Sequence, residues 1–529
     1  MNRKAVLMAV ILLLAPLVAV GTIAIRPATA AVPLKVGVIG PYNLPQWHKE
    51  QGGMEGGALL AMMDGLGLIN VGGTLYNITL VFADEGAYNP LTGTYDPVRA
   101  KNEIRRLLYT EGCKFIIGGF RTEVTWILIE ETKGYNDANP GNEVIFLING
   151  ASTDALIGET VGADYEGYKW LFRINPINST MLGRNVFGYL AGYLIPYKLI
   201  PMYGSVRVGC LTEDLEWTVG ICNFVHYVLP TLFPPGVVTF SGCWRSPSGT
   251  TNFVPYLDEA AANNTHVLVI AYTLPDAMYL VQQWREGEYK FLLVGIDVFG
   301  QRGEYPSLTG GACEYEIFED FSGTRTPITP LAVSFWDHYV GNFSSWPIYT
   351  AWGAYNAFMV LKKALETAGT LNPAAVITTL EAQETLVLNG KAKFTSIHDV
   401  FSNEYGKDWK YGYTRAMMVQ WINTGNPANS KPFTHGFIKQ VVCPTDQPFS
   451  RKTKFPPWIH PLGDVDLNFD GKIDMKDVAR VSKAFGSLPG DPRWDLECDV
   501  TYDGKIDMKD VATVSKNFGK FVQPWPPDP

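Results

Sequence analysis

The feature that most constrains the fold is an alternation of short β-rich runs with longer amphipathic segments over residues 34–442. The pattern begins near residue 34 and restarts near residue 207. Strand–helix–strand units of this kind predict parallel sheets that are covered by helices on both faces. The predicted strands are 34–39, 76–82, 114–117, 144–148, 207–211, 237–240, 266–270 and 291–294, and the predicted helices are 53–66, 97–109, 122–132, 217–228, 251–263 and 275–285.

Two α/β units in tandem predict two lobes with a cleft between them. In open α/β sheets, ligands bind beyond the carboxyl ends of the strands, so the loops after these strands are the candidate site. The chain has 529 residues, more than one ordinary domain holds. Its 47% hydrophobic and 18% charged residues exclude a disordered chain, and its net charge of −9 disfavours nucleic-acid binding through phosphate contacts.

The first 30 residues predict export. A short basic start, Met1 to Lys4, precedes an apolar stretch over 5–25, and Ala28-Thr29-Ala30 supplies small residues where a signal peptidase would cut. An apolar stretch of this length can also span a bilayer, so an uncleaved anchor is the alternative. The rest of the chain is then expected outside the membrane, in a secreted, cell-surface or periplasmic protein.

The seven cysteines give no metal or redox motif, because none of them forms a C-x-x-C pair. In the oxidising environment outside the cell some of them can form disulfides, but their spacing does not define which cysteines are joined. The closest set is Cys210, Cys222 and Cys243. Free buried thiols are the alternative.

Beyond residue 443 the composition changes twice. Residues 444–463 are rich in proline and predict an extended linker, and residues 522–529 form a second proline-rich tail. Between them lies a duplication, because the segment 470–486 recurs as 503–519 with differences only at positions 480/513 and 484/517. We therefore predict a separate small domain over 464–521.

Each copy of the duplication matches a calcium-binding loop, which supplies oxygen ligands at alternating positions and has glycine at its sharp turn. Aspartate stands at the last ligand position of both loops, and Thr501 replaces the better ligand Asn468 in the second loop. We therefore expect two Ca²⁺ sites, the second one weaker. The predicted ligands are Asp466, Asn468, Asp470, the Lys472 carbonyl, Asp474 and Asp477, and then Asp499, Thr501, Asp503, the Lys505 carbonyl, Asp507 and Asp510.

This region resembles the type I dockerin module, in which two loop-plus-helix calcium motifs pack with approximate two-fold symmetry. The resemblance implies an all-α calcium-binding domain and a cohesin partner that contacts the helices. Many members carry Ser-Thr where this chain carries Met-Lys, a departure from the usual cohesin contacts. The matching contact positions, identical in both copies, are Met475, Lys476, Ser482, Lys483, Met508, Lys509, Ser515 and Lys516.

Residues 34–443 resemble the type I periplasmic binding proteins, especially the branched-chain amino-acid group that serves ABC importers. Short stretches at strand ends carry the resemblance: VGVIGPY, IGGFRTEVT, INGASTDAL, LTEDLEW, VIAYTLPDA and VGIDV. It implies a hinged two-lobed α/β fold over 31–443 that docks on a permease. We assign lobe I to about 34–175 and 298–385 and lobe II to about 176–297 and 386–443.

The resemblance also implies which residues hold an amino-acid ligand. Hydroxyls at Thr122, Ser152 and Thr153 match the family's carboxylate contacts, and Asp297 stands where the family commonly has the glutamate that holds the ammonium. Capping of the next turn is the alternative role of Asp297. Arg121 is unusual in its loop. A salt bridge from it to the ligand carboxylate or to a second acidic group would favour an acidic ligand, and the alternative is a solvated or interlobe residue. The aromatic candidates are Trp47, which could cover the side-chain pocket, Trp217 and the ligand-closing Tyr272.

No catalytic motif is present: we find no P-loop, no H-E-x-x-H and no G-x-S-x-G, and the seven histidines have no ligand-like spacing. We therefore expect a binding protein rather than an enzyme. The first hypothesis is a solute-binding protein for an amino acid or a similar small polar solute. The alternatives are a surface scaffold in which only the dockerin is functional, for which a filled or apolar cleft is expected, and a ligand sensor.

Overall fold

The computed structural model describes residues 31–42, 53–88, 94–321, 324–401, 413–414, 416–433, 435–443, 451, 453–456, 459, 465, 472–488, 491–495, 498–501 and 505–519. The predicted signal segment, residue Trp47 and most of the predicted linker lie outside these residues. None of the helices within the described ranges combines the length and the apolar character that a bilayer crossing requires.

The first lobe is built on a six-stranded sheet with the strand order β2-β3-β1-β4-β5-β6. All its neighbours pair in parallel except β2 and β3, which form an antiparallel hairpin. Its central strands have the sequences FIIG and IFLI and are buried at every residue, as parallel strands covered on both faces are. The strands are β1 Val32–Gly40, β2 Leu68–Val71, β3 Thr74–Asp84, β4 Phe115–Gly118, β5 Ile145–Ile148 and β6 Leu171–Arg173.

The second lobe is built on a seven-stranded sheet with the order β15-β14-β11-β10-β9-β7-β8. Strands β7 to β11 pair in parallel, and β14 and β15 add an antiparallel edge. A separate hairpin is formed by β12 and β13. The strands are β7 Val206–Glu213, β8 Val238–Ser246, β9 Val267–Tyr272, β10 Leu292–Asp297, β11 Ile317–Asp320, β12 Thr385–Val387, β13 Gly390–Ala392, β14 Met417–Asn423 and β15 Phe437–Cys443.

Helices cover both sheets, and several of them are extended by π-helical or 3₁₀ turns, such as Arg106–Thr110 and Leu190–Leu199. The α-helices are α1 Met54–Met63, α2 Pro97–Arg105, α3 Thr122–Ala138, α4 Ala155–Gly158, α5 Tyr165–Tyr168, α6 Ser179–Tyr189, α7 Ile200–Tyr203, α8 Val219–Asn223, α9 Val254–Ala262, α10 Asp276–Glu286, α11 Tyr305–Leu308, α12 Ala332–Phe343, α13 Tyr349–Ala368, α14 Pro373–Ala382, α15 Met475–Ala484 and α16 Met508–Asn517.

The polypeptide crosses between the two lobes at different points from those we predicted. Strand β11 pairs in parallel with β10, so residues 298–321 continue the second lobe rather than return to the first. Conversely, the segment after the β12–β13 hairpin belongs with the first lobe, because Asp399 forms a bridge with Arg173 at the end of β6 and the ring of His398 stacks on Phe172. The physical reason is backbone pairing: β11 is hydrogen-bonded between β10 and β14 inside the second sheet, whereas Asp399 lies beside β6 at the edge of the first sheet.

One of the open cysteine pairings is present. Cys222 and Cys243 form a disulfide with their Cα atoms 6.2 Å apart, a separation that suits this bond. It joins α8 to β8 at the edge of the second sheet. The other described cysteines, Cys113, Cys210, Cys313, Cys443 and Cys498, are buried.

The C-terminal module has a small core of its own. Its two helices, α15 and α16, begin with the same capping box, formed by Asp474 with Asp477 and by Asp507 with Asp510. The two halves also make equivalent backbone hydrogen bonds to each other. The Gly486 N–H donates to the Ile506 carbonyl, and the Gly519 N–H donates to the Ile473 carbonyl. The core side chains are Val465, Ile473, Val481, Ala484, Cys498, Val500, Ile506 and Val514.

Candidate functional site

A cavity lies between the two lobes at the carboxyl ends of strands from both sheets. The space between its walls, including the open mouth, is about 710 Å³. Loops after β3, β4 and β5 and the first residue of α13 form one wall, and loops after β7, β9, β10 and β11 form the other. Its lining residues are Ala87, Phe120, Arg121, Thr122, Glu123, Gly150, Ser152, Ile177, Leu182, Leu215, Trp217, Thr273, Leu274, Ile296, Val298, Gln301, Glu319, Phe321 and Tyr349.

The turn that brings α3 to the cavity depends on two glycines and a buried acid. Gly118 and Gly119 have positive φ values of 149° and 77°, and a Cβ on Gly118 would collide with the Ile39 carbonyl oxygen. The N–H groups of Phe120 and Arg121 donate to the Glu85 carboxylate over 2.8 and 3.1 Å. Burial raises the pKa of Glu85 to about 8, although these two hydrogen bonds oppose the shift. Glu85 therefore fixes the chain just before the helix starts.

Hydroxyl groups lie at the start of α3. Thr122 and Ser152 line the cavity, and the Thr122 and Thr153 hydroxyl oxygens are 2.8 Å apart. In such a pair one hydroxyl donates to the other, so one proton remains for a further acceptor. The first N–H groups of a helix have no intrahelical partners, and the helix dipole adds partial positive charge there. This end of the cavity can therefore hold an anion.

Arg121 lines the cavity, but its charge is already balanced. Its Nε donates to Glu123 over 3.1 Å, and its Nη1 donates to the Ala87 carbonyl over 3.3 Å. The guanidinium carbon also lies 5.2 Å from the ring centre of Tyr95. All three partners belong to the first lobe, so these contacts hold Arg121 within its own lobe and make it a poor dedicated partner for a second acidic group on the ligand.

The opposite wall contains Trp217 and Thr273. The Trp217 indole N–H donates to Glu213 Oε1 over 2.9 Å, and the Thr273 hydroxyl donates to the same oxygen. Glu213 is fully buried, and burial raises its pKa to about 7. Glu213 therefore orients two cavity-lining side chains from behind the wall.

Three predicted contacts, Thr153, Tyr272 and Asp297, are not among the lining residues, although the Thr153 hydroxyl is hydrogen-bonded to the lining residue Thr122. The Tyr272 hydroxyl is 2.8 Å from the Ser246 hydroxyl, and its ring packs edge-on against Phe253. Asp297 accepts hydrogen bonds from the Gly300 N–H and the Tyr305 hydroxyl over 2.9 and 2.8 Å, so it caps the turn after β10. The resemblance to the family placed Tyr272 and Asp297 correctly at the ends of strands. It did not predict the directions in which their side chains point.

Glu319 is a lining residue that sequence reasoning missed. It lies at the end of β11 and is only 1% exposed. Its Oε1 accepts a hydrogen bond from the Asn185 amide over 2.7 Å, and its buried Oε2 has no hydrogen-bond partner among the described residues. The signal that could have located it is the acidic pair Glu319-Asp320 directly after two apolar residues of a short strand.

Apolar side chains form most of the remaining surface. Phe120 and Tyr349 contribute from the first lobe, and Trp217, Ile296 and Phe321 contribute from the second. A Gln301 side-chain oxygen accepts from the Tyr349 N–H over 3.2 Å and links the two walls. The cavity therefore has a polar end and a large apolar body, the usual composition of a small-molecule site.

The predicted calcium loops are described only in part. Asp466, Asn468, Asp470 and Asp503 lie outside the described residues. Asp477 and Asp510, at the last loop position, are fully buried, and each accepts two backbone N–H groups. A carboxylate oxygen retains a second lone pair after one such bond, and buried carboxylates favour a bound cation. The described part of each loop therefore fits a calcium site.

The predicted cohesin contacts are all on the surface. The side chains of Met475 and Met508 are each 65% exposed, at equivalent positions of α15 and α16. The other six residues, Lys476, Ser482, Lys483, Lys509, Ser515 and Lys516, are also exposed.

Family models match two regions of the chain. The periplasmic binding protein family model matches residues 35–404, and the dockerin type I domain model matches residues 464–519. A comparison with curated proteins finds no match.

Several solved structures share the fold of the two lobes. A leucine-binding protein from Thermotoga maritima has a TM-score of 0.58 at 17% identity, over 78% of this chain and 100% of that one. A branched-chain amino-acid binding protein from Streptococcus pneumoniae, in complex with isoleucine, has a TM-score of 0.56 at 16% identity, over 73% and 96%.

A third similar structure, an ABC transporter solute-binding protein from Rhodopseudomonas palustris, is a complex with 3,4-dihydroxybenzoic acid. It has a TM-score of 0.56 at 14% identity, over 74% of this chain and 93% of that one. These likenesses confirm the predicted type I periplasmic binding protein fold. Because the family model covers well over half of the sequence, the chain belongs to the periplasmic binding protein family and carries a type I dockerin domain.

Proposed function

We propose that this chain is the substrate-binding protein of an ABC importer and that its lobes close around an amino acid or a similar small carboxylate with an apolar body. The observation that carries the proposal is the cavity between the lobes, whose walls combine one polar end with a large apolar body. The scaffold alternative predicts a filled or apolar cleft. The apolar body of this cavity fits that alternative, but the polar end at α3 favours ligand binding.

The ligand carboxylate would occupy the polar end. A carboxylate that leaves water must recover its hydrogen bonds from fixed donors. Hydroxyls at Ser152 and at the Thr122–Thr153 pair, together with the first N–H groups of α3, are suitable donors. The turn held by Glu85 keeps them in position before the ligand arrives, which lowers the entropy lost on binding.

The apolar body of the ligand would lie between the lobes, against aromatic and aliphatic side chains from both walls. A ligand that contacts both walls at once binds the closed form more tightly than the open form. Differential affinity of this kind drives closure and allows a permease to distinguish loaded from empty protein.

The C-terminal module would attach the binding protein to another component. The proposed Ca²⁺ ions would be held by the loops before α15 and α16, including the capping residues Asp474 and Asp507, and by Asp477 and Asp510 in the first turns of these helices. Calcium supplies the positive charge that lets these carboxylates pack at the helix starts. The exposed helix surfaces with Met475 and Met508 would then dock on a cohesin-bearing partner outside the cell, after export directed by residues 1–30.

Isothermal titration calorimetry on the full chain with calcium tests the binding function. The probes are L-leucine, L-phenylalanine and benzoate. We expect at least one of them to bind, and we expect Ser152→Ala to weaken its binding by about 10- to 100-fold, because hydrogen bonds to charged groups contribute about 1.5–3 kcal/mol.

The matched control is Ser307→Ala, an exposed serine of α11 outside the cavity, which should leave the affinity unchanged. A wild-type chain that binds none of the three probes would contradict the proposal. Equal affinities of the wild type and Ser152→Ala for the probe would show that the ligand carboxylate does not bind beside α3.

A further inference from the structure

A buried arginine lies behind the polar end of the cavity. Arg173 is the last residue of β6 and is fully buried. Its Nη2 donates to the Thr153 carbonyl over 2.6 Å, and its Nη1 donates to the Ser152 carbonyl over 3.3 Å. Ser152 lines the cavity, and the Thr153 hydroxyl is hydrogen-bonded to that of the lining residue Thr122. The loop over residues 152–153 therefore separates the guanidinium from the polar end of the cavity.

The negative partner of Arg173 is Asp399, from the segment that follows the β12–β13 hairpin. Asp399 Oδ2 lies 3.6 Å from Arg173 Nη1, and it accepts a hydrogen bond from the Asn178 amide over 2.9 Å. Arg173 donates directly to the carbonyls of the 152–153 loop, whereas Asp399 is joined to that loop through Arg173. The positive member of the pair is therefore nearer to the polar end of the cavity than the negative member.

This ion pair is poorly arranged for stabilising the fold. The 3.6 Å separation is longer than an N–H···O hydrogen bond of about 2.7–3.2 Å. Arg173 Nε and Asp399 Oδ1 are both buried without a hydrogen-bond partner among the described residues. Burial raises the pKa of Asp399, and the Arg173 charge opposes this rise. A buried pair that leaves polar atoms unsatisfied is weak evidence for a role in stability, so its position in the fold points to another role.

The charge of Arg173 is less completely balanced than that of Arg121. Arg121 lines the cavity, but Glu123 lies 3.1 Å from its Nε, at hydrogen-bond distance. Arg173 has its partner at a longer distance and lies in the interior, where charges interact more strongly than in water because the effective dielectric constant is lower. A carboxylate beside Ser152 would therefore be attracted by Arg173 across the loop.

We propose that Arg173 is a positioning residue for the ligand carboxylate: it holds the 152–153 loop by its carbonyls and supplies from behind that loop a positive charge, which Asp399 partly offsets. The inference rests on the proposed function and deepens it, because it assigns the charge by which the site selects an anionic ligand over a neutral one of the same shape. Arg173 acts through Ser152 and Thr153 and does not touch the ligand.

The experiment compares each carboxylate probe with its carboxamide: L-leucine with L-leucinamide, L-phenylalanine with L-phenylalaninamide, and benzoate with benzamide. Affinities are measured by calorimetry on the full chain with calcium, and a weak carboxamide is measured by displacement of the carboxylate. For the wild type we expect the carboxylate that binds best to bind at least about tenfold more tightly than its carboxamide.

Two variants should change this ratio of affinities in opposite directions. Asp399→Asn keeps the shape of the side chain and removes the offsetting charge, so the ratio should rise by about 3- to 10-fold. Arg173→Met leaves only the negative charge, so the ratio should fall by at least about tenfold. A purely structural ion pair would instead weaken both members of a probe pair equally in both variants and leave the ratio unchanged.

A double variant tests the inference even where a single variant does not fold. Arg173→Met with Asp399→Asn leaves no unpaired buried charge, and replacement of a whole buried pair is usually tolerated. Its ratio should lie between those of the wild type and Arg173→Met. The matched control is Lys101→Met, an exposed lysine of α2 paired with Glu131, which should keep the wild-type ratio.

The inference is overturned if the wild type binds a carboxamide as tightly as its carboxylate, or if the double variant keeps the wild-type ratio. A lower ratio in Asp399→Asn would also overturn it, because the offset would then have the wrong sign. In each of these cases the probes still bind and the proposed function stands. If none of the three carboxylates binds the wild type, the proposed function fails and this inference fails with it.

Discussion

The two-lobed domain and the C-terminal module are both built from two similar halves, but their halves meet in different ways. The lobes have separate sheets with large cores, and they face each other across a cavity. The halves of the module share one core of eight buried side chains and place buried carboxylates at both helix starts. We infer that the lobes are stable by themselves and can open, whereas the module depends on bound cations.

Removal of calcium should produce the largest difference in stability between the two-lobed domain and the C-terminal module. With EDTA we expect the module over 464–519 to unfold and the lobes to stay folded, because so small a core does not compensate for unneutralised buried carboxylates. Hydrogen exchange on the full chain measures this. Peptides from α15 and α16 should lose their protection, and peptides from β5 and β9 should keep it. Protection of α15 that EDTA does not change would contradict the comparison.

Buried charge in the lobes should instead be stabilised by a partner within the chain. Lys439→Met leaves Asp320 buried without its ion pair, and we expect it to lower the free energy of unfolding of the lobes by about 3–5 kcal/mol. Urea denaturation followed by circular dichroism measures the change. The matched control is Lys169→Met, which removes an exposed pair with Glu166 and should cost no more than about 0.5 kcal/mol. Equal losses of stability in the two variants would show that the buried ion pair stabilises the lobes no more than an exposed pair does.

The architecture of the lobes could be predicted from sequence because buried parallel strands appear as apolar runs. The stretches that form β4, β5 and β9 were located for this reason. Strand β11 was missed, since two of its four residues are acidic, and the continuation of the second lobe through residues 298–321 was missed with it. Its charges are tolerated only because Lys439 and Asn185 come from distant parts of the chain.

Individual cavity residues were harder to predict than the cavity itself. A strand end fixes where a residue lies, but its side chain points to whichever partner the tertiary structure offers. Asp297 meets the Tyr305 hydroxyl and Tyr272 meets Ser246, so both face away from the lining, while Thr122 and Ser152 line the cavity. In the module the two nearly identical copies defined the helix starts and caps, because local sequence controls them.

The two halves of the module differ at position 480/513, which should make the first half more dependent on a tertiary contact. Arg480 donates to the Asp495 carboxylate over 2.7 Å, whereas the hydroxyl of Thr513 donates to the Lys509 carbonyl of its own helix. Arg480→Ala should therefore lower the stability of the calcium-loaded module by about 1 kcal/mol. Thr513→Ala is the control and should have little effect. Hydrogen exchange of α15 and α16 in the full chain compares the two variants, and equal losses would contradict the asymmetry.

The last expected effect, of similar size, concerns the two loops themselves. The Thr501 hydroxyl donates to Asp510 Oδ1 over 2.9 Å and thereby uses a carboxylate lone pair that a calcium ion would otherwise share. Thr501→Asn would supply an amide oxygen, the role predicted for Asn468 in the first loop, and release that lone pair. We expect calcium to bind the second loop about fivefold more tightly, equivalent to about 1 kcal/mol. Calcium titration of the full chain by calorimetry measures this, and Thr513→Asn, a threonine on the α16 surface, is the matched control. If Thr501→Asn leaves both affinities unchanged, the side chain at this position is not a ligand, and the difference between the loops has another source.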